Sequence, residues 1–165
     1  MPNILIIDDE PGIRSVITDI LEDEDYTVFT AEDGYEGLST LKSEPIDCII
    51  LDVWLPNMGG IDVLKEVKRD YPEIEIIVIS GHANIDIAVK AVKLGAFDFL
   101  EKPLSLDKVI TLVRNALQIE NLKRENKQLK NAIYKEDEMI GYSEPIERIR
   151  RLIDQSAGSE SRIFI

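Results

Sequence analysis

One cysteine, one histidine and one tryptophan occur in 165 residues, and basic side chains are outnumbered by acidic ones, 19 to 32. Each scarcity closes off a class of function. Cys48 has no partner for an internal disulfide, which fits a reducing compartment, and it reads most simply as a small buried apolar residue. His82 lacks the companions a zinc site needs, so it is better read as a loop residue near a functional site. The net charge of −13 speaks against direct nucleic-acid binding by these residues, because phosphate backbones are gripped by basic patches. The acidity otherwise reads as solvated surface. No apolar run nears the roughly 20 residues that cross a bilayer, and Met1-Pro2-Asn3 is not a signal peptide, so no membrane association and a cytoplasmic location are expected. The phosphate-cradling pattern G-x-x-x-x-G-K-[ST] is missing as well, which excludes ATP binding in the P-loop manner by this chain.

What is present is a regular alternation. Apolar residues make up 44% and charged residues 31%, the balance of a globular core. Apolar runs at about residues 4–7, 27–31, 48–51, 74–79 and 97–100 read as strands. Helical spacing follows each. Pro11 sits near the first helix start, with Ile13, Val16, Ile17, Ile20 and Leu21 on one face. Asp33 is placed to cap a second helix with Gly37, Leu38 and Leu41 inside. The turn Pro56-Asn57-Met58-Gly59-Gly60 precedes a third helix through Ile61, Val63, Leu64 and Val67 that Pro72 ends. A fourth spans about residues 85–94, stopped by Gly95, and a fifth begins at Ser105 or Asp107. Five strand–helix units give a doubly wound α/β fold: a five-stranded parallel sheet with helices on both faces and the flavodoxin-like order 2-1-3-4-5.

That order brings chemistry to one edge. Asp8-Asp9 follow the first strand, Asp52 closes the third, and Lys102-Pro103 follow the fifth. All lie at the C-terminal ends of strands, where ligands bind in open α/β sheets. Three clustered carboxylates repel one another, and oxygen-only ligands of this kind suit Mg²⁺.

The fifth helix has no Pro or Gly between residues 106 and 134, so it is expected to run past the core. Leu112, Ile119, Asn126 and Ile133 recur at one heptad position; Leu122 and Leu129, with Asn115, fall at the other. This is the pattern of a short parallel coiled coil, and Glu125 and Lys130 are spaced to pair across a homodimer. A single amphipathic helix packed on its own domain is the alternative. Beyond it, Ser143-Glu144-Pro145 opens a further helix with Ile146, Ile149, Leu152 and Ile153, and Arg162-Ile163-Phe164-Ile165 reads as the start of a strand. One helix and one unpaired strand cannot bury a core, so part of a second domain is expected there.

Asp8-Asp9, Asp52, Ser80, Phe99 and Lys102-Pro103, in that order, resemble the receiver domain of two-component response regulators over about residues 3–118. The resemblance implies that Asp52 accepts a phosphoryl group from a phosphohistidine on a sensor kinase. It implies Asp9 as a direct Mg²⁺ ligand, Asp8 as one acting largely through water, and the backbone carbonyl of Trp54 as another. Lys102 would pair with Asp52 or its phosphoryl group, Ser80 would be the switch hydroxyl and Phe99 the aromatic switch. Trp54 and His82, each two positions past a site residue, are expected to rim the phosphoryl group and limit hydrolytic water. The segments Leu51-Asp52-Val53-Trp54-Leu55-Pro56, Ser80-Gly81-His82-Ala83-Asn84 and Gly95-Ala96-Phe97-Asp98-Phe99-Leu100-Glu101-Lys102-Pro103 resemble receivers of sigma-54-dependent transcription activators of the NtrC/NtrX type. Met139-Ile140-Gly141-Tyr142-Ser143 and Arg162-Ile163-Phe164-Ile165 resemble the entry to that family's AAA+ ATPase domain. The expected organisation is a receiver domain at 1–118, a coiled-coil linker helix at 119–137 and the incomplete beginning of an AAA+ domain at 138–165. DNA and sigma-54 RNA polymerase would be partners of the longer parent, and the chain itself would catalyse only its own phosphorylation and dephosphorylation. Two other readings stay open. One is a Mg²⁺-dependent phosphatase with Asp52 as nucleophile, although haloacid-dehalogenase-type enzymes carry a second Asp where Trp54 stands. The other is a dimerisation module with a vestigial acidic site.

Overall fold

The computed structural model describes residues 1–81 and 85–136. The elements alternate as β1 (Asn3–Ile7), α1 (Pro11–Glu22), β2 (Thr27–Ala31), α2 (Gly34–Ser43), β3 (Cys48–Asp52), α3 (Gly60–Asp70), β4 (Glu75–Ser80), α4 (Ile85–Lys93), β5 (Asp98–Glu101) and α5 (Leu106–Glu136). The five strands form one sheet in the order β2-β1-β3-β4-β5, all neighbours parallel. The fold class expected from the apolar alternation is the one observed. His82 and the expected AAA+ segment at 138–165 lie outside the described residues.

Side-chain alternation along the strands divides the core in two. Leu5, Ile7, Ile49, Leu51, Ile76 and Val78 face one layer, where α2, α3 and α4 contribute Leu41, Val63, Leu64, Val67 and Ala91. Ile4, Ile6, Cys48, Ile50, Ile77 and Ile79 face the other, under Ile17 and Leu21 of α1 and Val109, Val113, Ala116 and Leu117 of α5. β3 and β4 are buried throughout, because helices cover both faces of the central strands. Val16, grouped by its spacing with the inner face of α1, is exposed instead; the helix needs only Ile17 and Leu21 fully buried, with Ile13 and Ile20 packed alongside.

Local chemistry sets the helix ends. The Asp33 carboxylate caps α2, accepting from Glu36 N at 2.9 Å. α4 stops at Gly95, whose φ of +97° is one that L side chains rarely adopt. α2 lies close on the sheet: a Cβ at Gly37 would come within 2.4 Å of Ile7 Cδ1.

α5 carries two stripes. Val109, Val113, Ala116, Leu117 and Glu120 are buried against the sheet. The heptad seam runs on a different face: Leu112 is half-buried against the core, whereas Asn115, Ile119, Leu122, Asn126 and Leu129 are exposed. Ile133 lies in the helix, but its side chain falls outside the described residues. The chain divides into compact units Met1–Glu125 and Asn126–Ile165.

The base of the sheet holds a second charged group, within the first unit. Glu75, buried at the start of β4, pairs with Lys68 at 3.8 Å and with Lys123 of α5, while Lys68 also donates to the Ile74 carbonyl at 2.6 Å. Glu120 is 8% exposed and only loosely paired, with Arg124 Nη1 at 3.6 Å. Burial raises the Glu120 carboxyl above its ordinary value; Arg124 opposes this, and Asp47, Glu73 and Glu75 add to it. A carboxyl raised on folding binds protons more readily in the native state, so its contribution to stability declines as pH climbs through the range above 4.5. Glu120→Gln is expected to raise stability at pH 7, with the gain vanishing as pH falls below 4.5. Urea unfolding of variant and wild type in both pH ranges checks this.

Candidate functional site

Strand register assembles the site. Ile7 pairs with Leu51, so Asp8 and Asp52, each one residue further, leave adjacent central strands at the same edge. Asp52 pairs with Ile79 and Ser80 with Glu101, which sets Ser80 and Lys102 on the same rim. Lys102 N donates to Ser80 O at 2.8 Å, and Val53 N to Ile79 O at 3.0 Å. The Lys102–Pro103 peptide bond is cis.

The Lys102 side chain crosses back to the acids. Its Nζ lies 2.7 Å from Asp52 Oδ2, 2.7 Å from Glu10 Oε1 and 3.0 Å from Asp8 Oδ2. Asp8 and Asp52 are buried, and Glu10 is exposed. Asp8 Oδ1 accepts from Glu10 N at 2.8 Å and Asp52 Oδ1 from Trp54 N at 3.1 Å, so backbone donors fix both carboxylates. Burial raises the Asp8 carboxyl above its usual range; the Glu10 backbone bond and Lys102 counteract it in part. Burial works against the charge on Lys102, but the hydrogen bonds it donates to Asp52 and Glu10, with the Asp8 carboxylate beside it, outweigh that cost and its pKa is raised. Lys102 is therefore a fixed cation at any physiological pH.

Asp8, Glu10 and Asp52 each place one carboxylate oxygen within 4.8 Å of the others. Asp8 Oδ2 is fully buried and makes no hydrogen bond, although the ammonium is close by. A buried carboxylate oxygen that accepts no hydrogen bond, in an all-oxygen set, suits a hard divalent cation, and the residues fit Mg²⁺ on that ground. Of the residues marked in the sequence, Asp8, Asp52 and Lys102 come together. Asp9 is exposed and is not in this three-carboxylate group. Glu10 is in it and was not marked; the available signal was a third acid directly after Asp8-Asp9. Trp54 is exposed beside Asp52, Ser80 is buried at the end of β4, and Phe99 is half-buried against the α2, α3 and α4 layer. Cys48 lies in the core, where burial pushes its thiol up to about 12, so it is inert.

Gly60 was another omission, passed over as turn chemistry. A Cβ there would sit 1.9 Å from the Asp52 carbonyl oxygen and 2.8 Å from Val53 Cα, while Gly60 N donates to Val53 O at 2.9 Å. α3 therefore starts in contact with the backbone that carries Asp52, and only glycine permits the approach.

Three kinds of comparison bear on the family and the fold. Residues 4–114 match the model of the response regulator receiver domain. An NtrX-like response regulator of Rickettsia bellii is 39% identical over 99% of this chain and 34% of its own length. The nitrogen assimilation regulatory protein NtrX of Azorhizobium caulinodans is also 39% identical, over 99% of this chain and 36% of its own. The chain thus spans about a third of the length of these curated relatives. Among solved structures, NtrX from Brucella abortus superposes with a TM-score of 0.74 at 36% identity, covering 97% of this chain and 35% of that one. The chain belongs to the response regulator receiver domain family, and its relatives are of the NtrX/NtrC type. No helix among the described residues is long and apolar enough to cross a membrane.

Because the clash at Gly60 is with backbone rather than with a yielding side chain, Gly60→Ala is expected to lower stability by about 3 kcal/mol. It should also shift the chemical shifts of Asp52 and Trp54 more than those of β2. Urea unfolding and amide NMR read the two effects.

Proposed function

We propose that Asp52 is the phosphoacceptor of this receiver and takes its phosphoryl group from a phosphohistidine of a sensor kinase. The observation that carries the reading is the convergence of Asp52 with a second buried acid and with the Lys102 ammonium. A carboxylate oxygen of Asp52 attacks phosphorus as the P–N bond to the donor imidazole breaks, and the imidazole nitrogen retains the bonding pair. Asp8 and Asp52 would hold Mg²⁺, with Asp9 and the Trp54 carbonyl as the further ligands implied by resemblance. When bound, the ion neutralises phosphoryl oxygens and makes in-line transfer between anions possible. Trp54 N, bonded to Asp52 Oδ1, keeps the carboxylate oriented, which favours attack through Oδ2. Lys102 is already beside Oδ2 and can follow the new charge onto the phosphoryl oxygens.

The signal then travels through packing. Ser80 lies at the end of β4, one residue past the partner of Asp52, within the layer that leads to Phe99 through the Val78–Phe99 pair. Phosphorylation adds roughly one negative charge and three acceptor oxygens. A Ser80 bond to one of them would draw its hydroxyl inward, and the half-buried Phe99 ring can turn into the space left. Exposed Trp54 would shield the phosphoryl group from water. The exposed seam of Ile119, Leu122, Asn126 and Leu129 supports pairing of two copies through α5, with residues 119–137 as linker. In a longer parent protein, this switch would control an AAA+ ATPase that acts on sigma-54 RNA polymerase at DNA. Phosphorylation-independent ATPase activity of such a protein would contradict that last step.

Intact-mass spectrometry after incubation with acetyl phosphate and Mg²⁺ is expected to show one phosphoryl adduct, absent without Mg²⁺ and absent in Asp52→Ala. An equal adduct in Asp52→Ala would overturn the assignment. Sedimentation of the same samples reads the second claim, since a monomer in both states at high concentration rejects pairing through α5.

A further inference from the structure

Glu10 occupies the N-cap of α1, where short side chains are favoured because they reach back to the first-turn amides. Its carboxylate makes no cap bond. It extends instead to Lys102, 92 positions along the chain, at 2.7 Å. Its backbone N–H meanwhile fixes Asp8 Oδ1 at 2.8 Å. Glu10 thus holds one buried acid through its main chain and the site's cation through its side chain. The two attachments are independent, so the side chain can swing without moving Asp8.

The same ammonium bonds Asp52 Oδ2 and crowds Asp8 Oδ2. Those two carboxylates are among the groups proposed to hold the divalent ion, and a fixed positive charge between them repels it. Of the three acids around Lys102, only Glu10 is solvent-facing, its side chain 59% exposed against 0% and 4% for Asp8 and Asp52. A lysine stem is long and flexible, and the exposed carboxylate gives its head a place to go outside the buried pair. We propose that Glu10 is a positioning residue that draws the Lys102 ammonium off Asp8 and Asp52 and so eases entry of a divalent cation between them. This rests on the phosphoacceptor reading and adds to it a residue that acts through Lys102. A plain surface ion pair would instead contribute a little stability and leave cation binding unchanged.

Mg²⁺ titration of the full chain separates these. Trp54 is the sole tryptophan and its amide bonds Asp52, so its emission reports cation binding without any phosphoryl donor. Glu10→Gln is expected to weaken Mg²⁺ binding about three- to tenfold. In a Lys102→Met background the same substitution should change it by less than about twofold, because the ammonium through which Glu10 acts is gone. Unchanged affinity in Glu10→Gln, or an equal loss in both backgrounds, overturns the inference; the equal loss would make Glu10 act on the ion directly. A wild-type chain without any Mg²⁺ response sensitive to Asp52→Asn would sink the phosphoacceptor reading along with it. A normal wild-type response with Glu10→Gln unaffected sinks this inference alone.

Discussion

Two buried carboxylates at neighbouring strand ends repel each other, and the rest of the site is arranged around that repulsion. At a separation under 4.8 Å, it amounts to roughly 3–4 kcal/mol at an effective dielectric constant of about 20. Burial adds a desolvation cost, visible in the raised Asp8 carboxyl. The fold meets both with one ammonium brought from the far side of the sheet and with backbone N–H groups at Glu10 and Trp54. Asp8 Oδ2 has that ammonium 3.0 Å away as an ion pair but accepts no hydrogen bond. A site so composed is poised for cations and for groups that bring their own negative charge with a metal.

The scaffold earns its precision through close approach. α3 begins at Gly60 against the Asp52 carbonyl, and α2 passes over Ile7 at Gly37, so the two strand ends carrying the acids are each backed by a helix at glycine distance. At the opposite end, Glu75 ties the start of β4 to Lys68 and to Lys123 on α5. β4 therefore runs from buried Glu75, whose pairing with the half-exposed Lys123 ties it to α5, to Ser80 at the chemical edge. In the proposed reading, repacking at the Ser80 end would act on a strand already tied to α5.

Much of this was legible in the residues. Continuous apolar runs in β1, β3 and β4 signalled strands covered on both faces, and the 2-1-3-4-5 order then placed Asp8 beside Asp52 with no further information. Asp33 as a cap and Gly95 as a stop were readable because each needs a particular side chain or backbone angle. Periodicity did less well where it had to choose a face. Val16 fits the α1 stripe yet points to solvent, since two buried positions already cover that part of the sheet. On α5 a seam and a core stripe overlap in sequence, and only the packing of Val113, Ala116 and Leu117 separates them. Glu10 and Gly60 were hidden for another reason: their importance lies in contacts with Lys102 and with the Asp52 backbone, which local spacing does not encode.

The account comes down to where a divalent ion and a phosphoryl group settle. A crystal structure with Mg²⁺ and beryllofluoride is the most direct test. It should show beryllium bonded to an Asp52 oxygen, Mg²⁺ about 2.1 Å from Asp52 and next to Asp8, and the Lys102 ammonium moved onto a fluoride. An ion bound elsewhere, or beryllofluoride bound away from Asp52, would contradict it.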